Sequence, residues 1–159
     1  MLAGIKGTLI SQFFAEEILF TAFAGDVGEE DRRQAHAALA GWWRRFASEA
    51  GPASSVRTLW DRGAAPALQL LGYARTESPQ ALATRLTARS WTPAAALEVV
   101  VAPWGDSIDS AWRAAANRTL GSRWCLCFNG TRLRLVDARS VYTDRSIEFD
   151  VELVTGDPR

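Results

Sequence analysis

The sequence predicts one mixed α/β domain (α+β), amino-terminal helices followed by a mixed central sheet containing a β-hairpin, on three observations. Apolar residues recur at helical spacing through residues 8–72, a β-branched run occupies Ala96 to Ala102, and Asn129-Gly130 separates two strand-like segments. Helices first, then strand, helix, hairpin and strand is the order of a sheet with helices packed on it. A chain of 159 residues, 48% hydrophobic, has the length and apolar content for one core, so residues 1–159 are expected to form one domain. The helical part spans about 8–72 and the sheet-containing part about 80–152.

From Thr8 to Phe23, Leu9, Ile10, Phe13, Phe14, Ile18, Leu19 and Phe23 recur at intervals of three and four, predicting an amphipathic helix with Glu16 and Glu17 between them. Gly25 to Gly28 breaks it. Glu29-Glu30-Asp31 then places acidic groups where the helix dipole favours them, opening a second helix to about Glu49 with Leu39, Trp42, Trp43 and Phe46 on its apolar side. Ser55 is positioned to cap a third helix, Val56 to Leu71, which Gly72 closes and Pro66 bends or splits. Residues 80–89 carry mixed strand and helix character. Ala96 to Ala102 has the composition of a central strand, largely apolar on both faces. After the turn Pro103-Trp104-Gly105-Asp106-Ser107 comes a helix from Ile108 to Leu120. The hairpin Arg123–Phe128/Arg132–Val136 follows, turning at Asn129-Gly130 through positive φ angles, and a last strand runs from Ser146 to Val151.

Composition narrows the function classes. The longest apolar stretches fall short of the roughly 18 residues that span a bilayer, and no secretory signal pattern follows Met1, so the expectation is a soluble, cytoplasmic chain with no membrane partner. Eighteen basic residues balance eighteen acidic ones, which leaves no general cationic surplus; any nucleic-acid contact must come from a local patch. Cys125 and Cys127 alternate onto one strand face, too constrained for an ordinary disulfide and too few for a structural zinc site, so they are expected to be buried, reduced thiols. Lys6 is the only lysine and His36 the only histidine. A Ser/His/Asp or Cys/His arrangement would have to recruit His36 from the arginine-rich second helix, and the glycine-rich phosphate-binding patterns are absent.

Four segments in order carry a family resemblance: Leu70-Leu71-Gly72-Tyr73; Val99 through Asp109, containing Pro103-Trp104-Gly105; Arg123 through Leu135, containing Trp124, Asn129-Gly130 and Arg134-Leu135; and Ile147 through Glu152. Over roughly the last ninety residues the chain resembles the amino-terminal region of single-chain (type IIG-like) restriction-modification enzymes, which join a nuclease-type domain to an adenine-specific DNA methyltransferase, and of related phage-defence methyltransferases. The resemblance implies a restriction-endonuclease-like core of the PD-(D/E)xK type, truncated from a longer protein. It also implies a methyltransferase region of the same chain as partner, with S-adenosylmethionine as that region's cofactor. No Asn-Pro-Pro-Tyr motif is present, so methyl transfer is expected to lie outside these residues.

The nucleases of that type hold Mg²⁺ with carboxylates on adjacent strands and place a lysine two residues past the second carboxylate, at the end of the central strand before the Trp-Gly turn; the metal activates water and the lysine stabilises phosphate charge. Here those positions are Val100 and Ala102, so the site is expected to be degenerate. Glu98 is a weak remaining candidate, with Val100 where its partner would act, and Glu17 another, as a helix carboxylate added to the site. No metal and no cofactor are expected for this domain, Mg²⁺ entering only if ligands have moved. Asp106 and Asp109 are accounted for as charges and caps at a helix start.

What remains is a DNA-binding patch of Arg113, Arg118, Arg123, Arg132 and Arg134, with Arg132 and Arg134 sharing a strand face and double-stranded DNA as the partner. The expected function is a non-catalytic domain that helps a restriction-modification or phage-defence protein engage DNA or position its methyltransferase. One alternative is a protein-protein or interdomain scaffold docking through Trp42-Trp43; another is an active Mg²⁺-dependent endonuclease with relocated ligands. Trp112 is expected to pack inside, and Trp104 to pack or to stack on a partner from an exposed turn.

Overall fold

A computed structural model describes residues 4–11, 14, 18, 28–116, 122–139 and 145–156. Its centre is a mixed sheet of eight strands: β1 (Ile5–Gly7), β2 (Arg75–Thr76), β3 (Gln80–Leu82), β4 (Arg85–Trp91), β5 (Ala96–Val101), β6 (Trp124–Phe128), β7 (Arg132–Asp137) and β8 (Ser146–Asp150). The spatial order is β1-β8-β7-β6-β5-β4-β2, and β3 also pairs with β4. β5 and β6 run parallel; the other described pairings are antiparallel. The mixed α+β class is thus the one the residue pattern predicts, and the chain crosses from β5 to β6 beneath a helix, as a parallel connection requires.

Alternation divides the sheet into two faces. Leu97, Val99 and Val101 of β5, with Leu126 and Phe128 of β6, point to a core shared with Trp42, Phe46, Leu59, Trp60 and Leu68. These belong to α1 (Glu29–Glu49) and to α2, a continuous helix of three parts: Val56–Thr58, Leu59–Ala64 and Ala65–Leu70. The opposite face carries Val100, Cys125, Cys127 and Val136, covered by Ile108, Ala111 and Trp112 of α3 (Ile108–Ala116). Both faces of β5 are therefore largely buried, which explains its mostly apolar composition ending in Val99-Val100-Val101.

The break expected at Pro66 takes a different form. Pro66 lies in the first turn of the last part of α2, while Leu59–Ala64 opens into a wider π-helical turn in which the Ala65 N–H donates to the Trp60 carbonyl. Proline lacks the donor and crowds the carbonyl four residues back; the wider turn accommodates it without ending the helix. The same turn presents the Gly63 carbonyl to the buried Trp42 indole, whose Nε1–H donates at 3.0 Å. A Cβ on Gly63 would lie 2.6 Å from Phe128 Cε1 and 2.8 Å from Phe46 Cε2. Gly63→Ala is expected to cost about 1–3 kcal/mol through overpacking, seen in chemical denaturation as a lower midpoint at unchanged slope.

Other boundaries differ from expectation for local reasons. Residues 80–89 resolve into β3 and most of β4, joined by a turn in which Ala83 has φ +53°. Leu86, Ala88 and Ser90 face the helices of α1 and α2, while Arg85, Thr87 and Arg89 fall on the α3 side. The last strand stops at Asp150, because the Asp150 side chain accepts the Leu153 N–H at 3.3 Å and caps a short helix, α4 (Val151–Thr155). The helix from Ile108 is described to Ala116; the remainder to Leu120 lies outside the described residues. Most of the helix expected at Thr8–Phe23 lies outside them too, and the described Thr8–Ser11 is not helical. Ile5–Gly7, with no strand expectation, pairs with β8 at the sheet edge.

Candidate nucleic-acid interface

Val100 and Ala102, expected from the resemblance to stand in place of a carboxylate and a lysine, are 0% and 1% exposed beneath α3. Lys6 stands opposite Glu148 on β1, four strand positions from β5. At about 4.8 Å per strand that is roughly 19 Å from the central strand. The strand beside Glu98 supplies a cation instead of an acid: Arg89 is its register partner, with Nε 3.7 Å from Glu98 Oε2. Burial pushes the Glu98 carboxyl above its ordinary range and outweighs the opposing charge of Arg89. Among the described residues no three His, Cys, Asp or Glu side chains gather to hold a metal ion.

The cysteines are buried free thiols, with Sγ atoms 3.8 Å apart on one face of β6. Their mutual hydrogen bond and their burial push the Cys125 thiol well above its usual value, away from the thiolate that nucleophilic chemistry needs. His36 sits half-buried on α1.

A cleft of about 360 Å³ opens at the carboxyl ends of β5 and β6 and the amino end of α3, lined by Gly105, Asp106, Ser107, Ile108, Asn129, Thr131, Arg132, Arg134 and Glu148. Crevices at the carboxyl ends of parallel strands are the usual ligand positions in such sheets. The hairpin loop builds one wall and differs from the expected two-residue turn. Its connection is Asn129-Gly130-Thr131, and only Gly130 has positive φ, at +87°. The Asn129 side chain makes the turn instead: Oδ1 accepts from the Thr131 and Arg132 N–H groups at 3.1 and 2.8 Å, and Nδ2 donates to the Asp106 carbonyl at 2.8 Å. That last bond ties the hairpin to the turn before α3. Trp104 closes over Gly130 and stacks on Phe46, with ring centroids 5.9 Å apart, so it is a packing residue rather than an exposed platform. Trp112 is buried as expected. Trp42 is 4% exposed and Trp43 packs against the same core, so this pair does not offer the docking face considered from sequence.

The four described arginines of the expected patch do not gather in one place. Arg132 and Arg134 enter the cleft from β7. Glu148 of β8 bridges them, Oε1 taking Arg132 Nη1 at 3.2 Å and Oε2 taking Arg134 Nε at 2.8 Å and Nη2 at 2.6 Å. Arg134 Nη1 also donates to Asp109 in the first turn of α3. Burial works against the Arg134 charge, but the bonds to Glu148 and Asp109 prevail and hold it protonated more firmly than usual. Arg123 belongs elsewhere: its guanidinium bonds the buried Asp137 at 3.0 Å and covers the Trp124 ring at 4.9 Å. The hydrogen bond from Arg123 holds the Asp137 carboxyl below its usual range. Arg113 is exposed on α3, while Arg118 and Glu17 lie outside the described residues. Asp109, taken from sequence for a helix-start charge, and Glu148, not singled out, are the groups that organise the cleft. The alternation Arg132-x-Arg134 beside Ile147-Glu148-Phe149 was the available signal, because it sets a carboxylate between two arginines once β7 and β8 pair.

No helix among the described residues is long and apolar enough to cross a membrane. Comparison with protein-family models, with curated proteins and with solved structures finds nothing that matches this chain.

Proposed function

We propose that the chain is a non-catalytic, nuclease-like domain of a DNA restriction-modification or phage-defence protein, and that it engages the backbone of double-stranded DNA at the cleft. A methyltransferase region of the same protein would then carry S-adenosylmethionine and the chemistry. The observation that carries this reading is the convergence of Arg132 and Arg134 in a crevice at the carboxyl ends of β5 and β6. Two others support it. β4, β5, α3 and β6 follow one another as antiparallel strand, central strand, helix and parallel strand, in keeping with a restriction-endonuclease-like core. Val100 and Ala102 are packed side chains where such a core would hold metal and lysine.

Duplex DNA titrated at several salt concentrations tests the reading. Two phosphate contacts predict a slope of log K on log salt of about −1.8, and Arg132→Ala is expected to bring it to about −0.9. Arg132 is half-exposed, so its removal leaves the fold intact and the loss is one of binding. Absence of retardation at low salt, or an unchanged slope in Arg132→Ala, would refute DNA engagement. One observation favours the interdomain scaffold instead: both cleft arginines already have carboxylate partners, so the cleft has no cationic surplus. Under that reading the same titration gives no binding by the isolated domain.

A further inference from the structure

We infer that Asp109 is a built-in competitor for the DNA phosphate, an internal carboxylate occupying the face of Arg134 that a phosphate oxygen would take. The inference rests on the DNA-backbone reading above. Glu148 and Asp109 hold Arg134 in different ways. Glu148 is 9% exposed, engages Arg134 through Nε and Nη2, and belongs to the same sheet; it fixes the guanidinium in place. Asp109 is 57% exposed, comes from a different element, and engages only Nη1. Nη1, the Arg134 nitrogen that Glu148 does not engage, is thereby held by a group that solvent reaches. An incoming phosphate must displace a hydrated carboxylate from this position, and because solvent screens the Asp109 side of the pair the contact is a weak one. The contact is weak enough to exchange. Arg132, with one bond to Glu148 and half its surface open, makes the first contact; Arg134 joins when Asp109 yields.

Asp106 provides the control. It lines the same cleft and carries the same charge, and its side chain is exposed and, among the described residues, not paired with an arginine. Duplex DNA affinity of the whole 159-residue chain is to be compared across the unmodified protein, Asp109→Asn and Asp106→Asn at one low salt concentration. Asp109→Asn is expected to tighten binding up to about fivefold, the scale of a solvent-screened ion pair, and Asp106→Asn to tighten it distinctly less. Equal tightening in both variants would overturn the inference, because bulk charge alone would then explain the effect. Unchanged or weaker binding by Asp109→Asn, with the unmodified protein still binding, would overturn it while leaving the DNA reading standing. If neither form binds, both fail together.

Discussion

Phe46→Ala is expected to lower stability by about 3–5 kcal/mol, the cost of emptying a fully buried aromatic site. Phe46 is 1% exposed and touches four rings: Trp42 stacked at 6.1 Å, Trp43 at 5.7 Å, Phe128 at 5.5 Å and Trp104 stacked at 5.9 Å. It is the point at which α1 meets the end of β6 and the turn before α3, so the cavity opens where three elements join. The neighbouring rings come from α1, β6 and the turn before α3, and two of them are held by other contacts: Trp42 by its bond to Gly63, Trp104 by its closure over Gly130. Collapse into the space is therefore limited, which places the variant toward the upper part of the range. For a chain of this size the melting temperature should fall by on the order of 10 °C. Phe46→Leu keeps most of the volume and is expected to cost less than half as much. Urea denaturation of the two variants checks both statements, and a Phe46→Ala loss below about 1 kcal/mol would show that the aromatic cluster is not the core of the helical face.

Glu148→Ala is expected to be comparably damaging, about 3–5 kcal/mol, for an electrostatic reason. The Arg134 side chain is 16% exposed and keeps its charge through Glu148 and Asp109. Removing Glu148 leaves a largely buried guanidinium with one solvent-screened partner, and the desolvation of that charge is no longer offset. Arg132 suffers less, because half of its surface is hydrated. A double variant, Glu148→Leu with Arg134→Met, removes both charges and fills the volume with apolar groups. It is expected to recover most of the stability, since replacing a buried pair by packed hydrophobic side chains is often neutral or better. Under the DNA-backbone reading proposed above, it should also abolish binding at the cleft. Denaturation midpoints of the single and double variants measure the first expectation, and failure of the double variant to recover would mean that Glu148 acts through packing rather than through charge. The recovered double variant then separates binding from folding, which Arg134 substitutions alone do not.

Local patterns were sufficient to determine the class of the fold and much of its element order. The α1 helix, the Ser55 cap, the central strand β5 and the β6-β7 hairpin each follow from spacing or from a hydrogen-bonding side chain within a few residues. The burial of Cys125 and Cys127 on one face follows from the two-residue repeat of a strand in the same way. The absence of charge at Val100 and Ala102 was likewise written in the chain, since identity alone fixes it.

Only the tertiary structure decided which charges meet. Arg123, Arg132 and Arg134 look alike along the chain, yet one is held by Asp137 outside the cleft and two are bridged by Glu148 inside it. Strand pairing sets that choice, joining residues 14 and 16 positions apart, and no local preference reports it. The π-helical turn at Gly63 has the same origin, because the space left by Phe46 and Phe128 and the demand of the Trp42 indole are properties of three elements together. Backbone preference and side-chain periodicity act over a few residues and are legible in sequence. Ion pairing and close packing act through space, and the cleft at the amino end of α3 exists only after the sheet has closed around it.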